Sequence, residues 1–532
     1  MSAKQLTVNS AVVILLIFSA LTPTCFALTE SELDSLRNEL SEFNQLLSIE
    51  YYNNAAYGEE LDLEPIYERF YDLIYNDRTF SEISAGLAEG EEGENYRSLL
   101  YLYKELCYDR MWEELYELDE EYYNAEATLT VAIDGEYIAY RDIGLVLHLS
   151  DDRDFRRRLT DLSQQLTIDH LNPILMEMVQ GKTEIARSWG YQHFADLWEY
   201  THEIVLYELQ SKMEGVADST EEMFHSLLSE RAGTLLGMEI EELETYDRTI
   251  LFRTSEYDRY FPSETMITTL KDFLSGIGIY LEEQASISID DSQCAKKDPR
   301  AVTYIVEIPD DIRVLVKPST GLDDYASLFH ETGHAEHYAN CTEERYELQI
   351  MGDGGVSETY AFLFEDLLSD YRFLAEELSI PDREARGIVY CQLFADLYSL
   401  RYYIALLNYE LALHTQKSGL IEEYRAKMEK YLLVPRDVRS AQASYLVANE
   451  DFYGIYYLEA WLLSCMLRHY LEEEFGTPWW RNPQSGQLLL SLYAYGEALN
   501  STEIAKLLGY EGMDESYLIS YYQHQYKIAT AK

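Results

Sequence analysis

A mainly helical fold with one small β element is what this sequence predicts, and three observations carry that expectation. Apolar residues make up 47% of the 532 positions, enough for a large buried core, while Pro (11) and Gly (26) are scarce. The apolar positions recur at helical spacing along most of the chain. Only one stretch, between 302 and 316, departs into β-branched runs.

The elements follow in order. Residues 1–27 read as a secretory signal or an N-terminal anchor. Lys4 supplies the positive start, Ala11–Ala20 (AVVILLIFSA) the apolar run, and Cys25-Phe26-Ala27 a cleavage context after Ala27. That run is short of the roughly 20 residues a membrane-spanning helix needs, so the expected placement is extracytoplasmic, secreted or tethered. From Thr29 to about Tyr123 the pattern is acidic amphipathic helix broken by short turns. Glu30–Leu47 is the clearest, with Leu33, Leu36, Leu40, Phe43 and Leu47 on one face. Gly86–Gly93 (GLAEGEEG) reads as a loop or helix connection. Asp154–Gln180 and Glu184–Tyr200 are again helical in pattern. Val302–Ile308 and Ile312–Val316 flank Pro309-Asp310-Asp311 and read as a hairpin. No linker or fixed-period repeat divides the chain.

Charge and cysteines exclude more than they assign. A formal net charge of -55 argues against nucleic acid and against anionic membrane, both of which such a surface repels. Beyond Cys25 the cysteines are Cys107, Cys294, Cys341, Cys391 and Cys465. They are widely spaced with no C-x-x-C, which indicates neither a disulfide scaffold nor a thiolate zinc site.

The chemistry lies just after the hairpin. His330-Glu331-Thr332-Gly333-His334 reads H-E-x-x-H. Four residues apart on a helix, both imidazoles face one way and can share a metal ion, with Glu331 between them as general base. A catalytic zinc takes a third protein ligand. In so acidic a chain many carboxylates compete for that role. Glu358 stands out, because Gly352-Asp353-Gly354-Gly355 breaks the chain before a new helix, Ser357–Leu368, and Glu358 opens it. His337 is expected to be structural or to support a ligand.

Three stretches together carry a family resemblance: Asp323-Asp324-Tyr325, Leu328–Ala335 around the motif, and Val356–Phe362 around Glu358. They resemble the thimet oligopeptidase and oligoendopeptidase F family of zinc peptidases. The resemblance extends upstream to Ile185-Ala186-Arg187 and Gly190-Tyr191. Downstream it runs through Tyr453–Trp461 to Trp479-Trp480 and Leu507–Tyr510. It implies two helical halves around a deep channel, a small sheet beside the zinc helix, and one Zn²⁺ held by His330, His334 and Glu358. It also implies Glu331 as the base for a zinc-activated water, an oligopeptide substrate, and the hairpin as the strand along which that substrate lies. Residues 28–150 become an N-terminal helical region and 151–532 the catalytic region, with a zinc core at about 300–370.

One departure stands out. The family places a Tyr, helped by a His, at the oxyanion in a Tyr-rich segment. Here Tyr445–Trp461 (YLVANEDFYGIYYLEAW) holds Tyr453, Tyr456 and Tyr457 but no His. Tyr453 is the expected oxyanion donor, with Tyr457 or Tyr456 touching substrate. The alternatives are a carboxypeptidase or dipeptidyl carboxypeptidase on a related scaffold, with Lys317 or an Arg holding the substrate's terminal carboxylate, and a catalytically weak zinc- or peptide-binding homologue.

Overall fold

The computed structural model describes residues 28–531 apart from 91, 92, 319 and 417. The signal or anchor expected at 1–27 lies outside the described residues. Helices dominate, as expected, and among the described residues five short strands form two small sheets. The first long helix, α1 (Glu30–Tyr57), starts on a capping box. The Thr29 side chain accepts from the Glu32 amide and the Glu32 carboxylate from the Thr29 amide. It buries Leu33, Leu36, Leu40 and Phe43.

Two elements differ from the sequence reading. Helix Asp77–Glu89 runs through Gly86, because Ile83 and Leu87 both dock into the core and hold the turn helical. The helix expected over Glu184–Tyr200 is instead split. One helix ends at Ser188, Gly190 turns at φ +97°, and a second helix begins at Phe194 with the Asp196 carboxylate accepting from the His193 amide. A hairpin of β1 (Thr130–Ile133) and β2 (Glu136–Ala139) was not anticipated. Its Asp134-Gly135 turn, with φ of 51° and 90°, is the signal that the sequence carries for it.

The second sheet has three strands in the order β3 (Ile287–Asp290), β5 (Asp311–Leu315), β4 (Val302–Glu307). The expected hairpin forms, with β4 antiparallel to β5 and Thr303 opposite Val314. β3 joins the far side of β5 in parallel. Ile312, Val314 and Leu315 are buried, so β5 sits inside while β4 is an edge. One face of the sheet rests on α1, where Tyr52 packs edge-on against Tyr304 at 5.5 Å.

Among the described residues, two large apolar cores dominate, beside three small clusters. One gathers the N-terminal helices with Leu206–Leu228 and most of α4 (Asp382–Leu413). The other gathers Phe261–Ile279, the three-stranded sheet and the helices that carry the motif. Helix α5 (Gly454–Phe475) belongs to both: Leu458 and Leu462 point into the first, Leu463, Met466 and Leu467 into the second. The predicted site lies at this junction.

Candidate metal centre

Two helices, here α2 (Leu322–Ala339) and α3 (Gly354–Glu365), set the site. Helix α2 has Asp323 and Asp324 in its first turn, where carboxylates favour the helix dipole, and it buries Tyr325, Leu328 and Phe329. Its Gly333 explains how close α3 can come. A Cβ there would stand 2.5 Å from the Ala361 Cα and 2.6 Å from the Tyr360 carbonyl oxygen. The two backbones touch, and only glycine permits it.

That approach brings three donors to one point. His330 Nε2 and His334 Nε2 are 3.2 Å apart, and Glu358 Oε2 lies 3.4 and 3.7 Å from them. A tetrahedral zinc with ligands at about 2.0–2.1 Å would space its donors by about 3.3 Å, so the set fits that ion. Glu358 Oε2 is buried and has no hydrogen-bond partner within the chain, as a group reserved for a cation would be. Each histidine is held by its other nitrogen. His330 Nδ1 meets Glu365 Oε2 at 2.8 Å, and His334 Nδ1 meets Ser357 Oγ at 2.8 Å. These contacts direct both Nε2 atoms inward.

The electrostatics point the same way. Burial alone would lower the His330 pKa, but Glu365, Glu358 and Glu331 lift it to about 9. Burial, with the cation at His330 adding to it, pushes His334 well below its usual range. Burial raises Glu358 to about 7. The cluster of carboxylates thus favours one positive charge between the ligands. Glu331, raised by burial, lines the same cavity of about 320 Å³, and the Thr303 hydroxyl of β4 donates to its backbone carbonyl at 2.7 Å. Val302, Thr303 and Ile305 form one wall, so the edge strand borders the cluster.

The start of α3 is clamped from far along the chain. Lys104 Nζ donates to the Gly352 carbonyl at 2.7 Å, and the Gly352 amide donates to Glu497 Oε2 at 2.7 Å. The Asp353 carboxylate caps Gly355 and accepts from both the amide and hydroxyl of Ser501 at 2.8 and 2.7 Å. Tyr338, at the end of α2, donates to Glu497 Oε1 at 2.7 Å. Glu358 therefore sits four residues beyond a break tied to both the ligand helix and the C-terminal region.

Tyr453, Tyr456 and Tyr457 all line the cavity. The Tyr453 ring is 5.5 Å from each of the other two and 48% exposed, and burial lifts its phenol to about 12. Tyr457 packs between Phe362 of α3 and Tyr403 of α4. Before Tyr453, Asp451 and Phe452 occupy left-handed backbone at φ 52° and 70°, which is strained for side-chain-bearing residues. Buried Glu410 over-determines that turn by accepting from the amides of Glu450 (2.6 Å) and Phe452 (3.2 Å). The tyrosine segment holds no His, but His202, which stacks on Trp198 at 4.0 Å, lies 6.0 Å from the Tyr456 ring.

His337 is buried and hydrogen-bonded to the Gly496 carbonyl at 3.1 Å, away from the donor set. Lys317 donates to the Lys297 carbonyl and is not in the cavity wall. Glu365, Ser357, Glu410 and His202 escaped the sequence reading. Among the described residues, all five cysteines are free thiols. No helix is long and apolar enough to cross a membrane among those residues.

No family model matches the sequence, and no curated protein does. Solved structures do. One described as a candidate oligoendopeptidase F from Bacillus anthracis strain Ames superposes with a TM-score of 0.62 at 14% identity, over 93% of this chain and 91% of the other. A second, an X-ray structure also described as a candidate oligoendopeptidase F, gives 0.65 at 15% identity over 94% and 92%. The fold, mainly α and nearly end to end, is the one those structures have.

Proposed function

We propose that this chain is a zinc peptidase of the oligoendopeptidase F kind, cutting peptide bonds within oligopeptides. One observation carries the reading. His330 Nε2, His334 Nε2 and Glu358 Oε2 all lie within 4.8 Å of one another, with Glu331 in the same cavity and a strand edge as its wall. The fold shared with the two structures above supports it.

His330, His334 and Glu358 would hold the metal. When bound, zinc supplies Lewis acidity and lowers the pKa of coordinated water from 15.7 toward about 7. The protein does the rest. The β4 edge lays an extended peptide across the cavity through backbone hydrogen bonds. Glu331, whose buried carboxylate is more basic than usual, takes a proton as the water oxygen attacks and returns it to the leaving amine. Tyr453 donates to the developing oxyanion, a contact worth about 2.7–4 kcal/mol in comparable sites, and Tyr457 contacts the substrate. With the tyrosines in place, Glu331 would have no purpose in a site that only stored zinc. We further take residues 1–27 as an export signal or anchor, with an extracytoplasmic mature chain. Residues 28–150 form its helical N-terminal region and 151–532 its catalytic region.

Quenched peptides of graded length, assayed with and without chelator, test the reading. Cleavage should require zinc at one equivalent. It should fall by roughly 10²-fold or more in Glu331→Gln, with zinc content unchanged. Stoichiometric zinc with no cleavage of any peptide would sink it.

A further inference from the structure

Away from the metal, a second cavity of about 390 Å³ opens among Tyr140, Tyr246, Tyr398, Tyr402 and Tyr424. Two guanidiniums line it, Arg248 and Arg436. Most arginines of this acidic protein are ion-paired to carboxylates; among the described residues these two are not. Arg248 is exposed to solvent, and the groups that act on its charge are phenols, Tyr398 first and then Tyr402 and Tyr424. Arg436 Nη1 donates to the Tyr424 hydroxyl at 3.4 Å and its guanidinium lies over that ring at 5.3 Å. One carboxylate, Glu244, shares the wall. Burial and neighbouring Asp437 raise its pKa, while Arg153 opposes the rise. In a molecule of net charge -55, a cavity with two such cations is the exception. The Thr160 hydroxyl in its wall is buried and has no partner within the chain.

The cavity is joined to the proposed active site by one ribbon of chain. Ser444, Val447 and Ala448 line the second cavity. Glu450 and Asp451 line an intermediate one, and Tyr453, Tyr456 and Tyr457 line the metal cavity. A run of packed rings links the elements that wall the two cavities: Tyr402 to Tyr403 at 5.3 Å, to Tyr457 at 5.1 Å, to Phe362 at 5.9 Å, to His330 at 5.3 Å.

We infer that the Arg248–Arg436 cavity is a subsite for a carboxylate of the peptide substrate, the C-terminal one above all. Planar guanidiniums bind carboxylates in a fork, and tyrosine and threonine hydroxyls supply the remaining donors. The inference rests on the peptidase reading for its substrate and on the cavity itself for its chemistry.

Zinc-loaded protein assayed on matched peptides, as C-terminal acids and amides, tests the subsite. The acid should be preferred by about tenfold in kcat/KM, mostly through KM, at the length that reaches the cavity in a series graded after the cut. The preference should fall to near unity in Arg248→Gln and in Arg436→Gln. An amide peptide of that length bearing Glu as its last residue and cleaved better than its Gln twin would assign the site to side-chain carboxylates instead. Equal handling of acid and amide, and of Glu and Gln, overturns the inference while leaving the peptidase intact. Titration of Glu331→Gln protein with the same peptides separates the two failures. If nothing is cleaved, the peptidase reading falls, and tighter binding of the acid still upholds the subsite, whereas equal binding removes it.

Discussion

At the scale of single residues the proposed centre depends on groups that do not themselves touch the metal. Glu365 fixes His330 through a 2.8 Å contact to Nδ1. Loss of such a partner typically costs 10–100-fold in metal affinity. Glu365→Ala should therefore weaken zinc binding by about that factor in a competition titration, and unchanged affinity would remove it from the centre. The motif histidines and Glu331 were legible because helical spacing alone places them together. Glu358 was legible because glycines mark the break before it. Glu365 was not, since among 96 acidic residues one more carboxylate carries no signal. A different residue sets a pH limit. Burial lowers the His414 pKa to about 4, although Asp451 and the hydrogen bond its Nε2 makes to the Asn449 amide oxygen act against it. A neutral imidazole is stable in place above its unfolded value near 6.5. That contribution disappears as pH falls toward 4, because the unfolded chain then takes the proton first. Between pH 7 and 4.5, urea unfolding should show His414→Gln gaining about 2–3 kcal/mol on the wild type. A difference that stays constant with pH would disprove this.

At the scale of elements, the crossing of α2 and α3 decides whether a site exists. Gly333→Ala exchanges a helix-propensity gain of about 1 kcal/mol for a Cβ driven into backbone atoms of α3. Backbone cannot swing aside as a side chain can, and overpacking costs about 1–3 kcal/mol or more. The variant should unfold at lower urea and bind zinc more weakly; stability at or above wild type would show the helices free to part. The hairpin of β4 and β5 was readable from its β-branched runs, whereas the third strand was not. β3 is only four residues long and pairs in parallel with a strand more than twenty positions away. The Phe452 turn was equally hidden. Its stabilising carboxylate, Glu410, lies on another helix, and no local pattern connects the two.

At the scale of the whole molecule, two cores meet along α5 and the centre occupies their junction. Helical periodicity revealed each core's helices but not which helices share a core, because pairing depends on contacts distant in sequence. The net charge of -55 acts at this scale too. Its field extends about 10 Å at 0.1 M salt and about 30 Å at 0.01 M. Raising salt over that range should lower kcat/KM for a lysine-rich peptide and raise it for an aspartate-rich one of equal length. Parallel responses would mean that the surface charge only keeps the chain dissolved.

The clamp on Gly352 and Asp353 has a consequence in time. It closes with Glu497 and Ser501, which are made long after both histidines. While the ribosome is still adding residues, the motif helix can form, yet the turn that presents Glu358 is held only by Lys104 and its own Asp353 cap. The proposed centre is thus fully fastened only once the last part of the chain has been made.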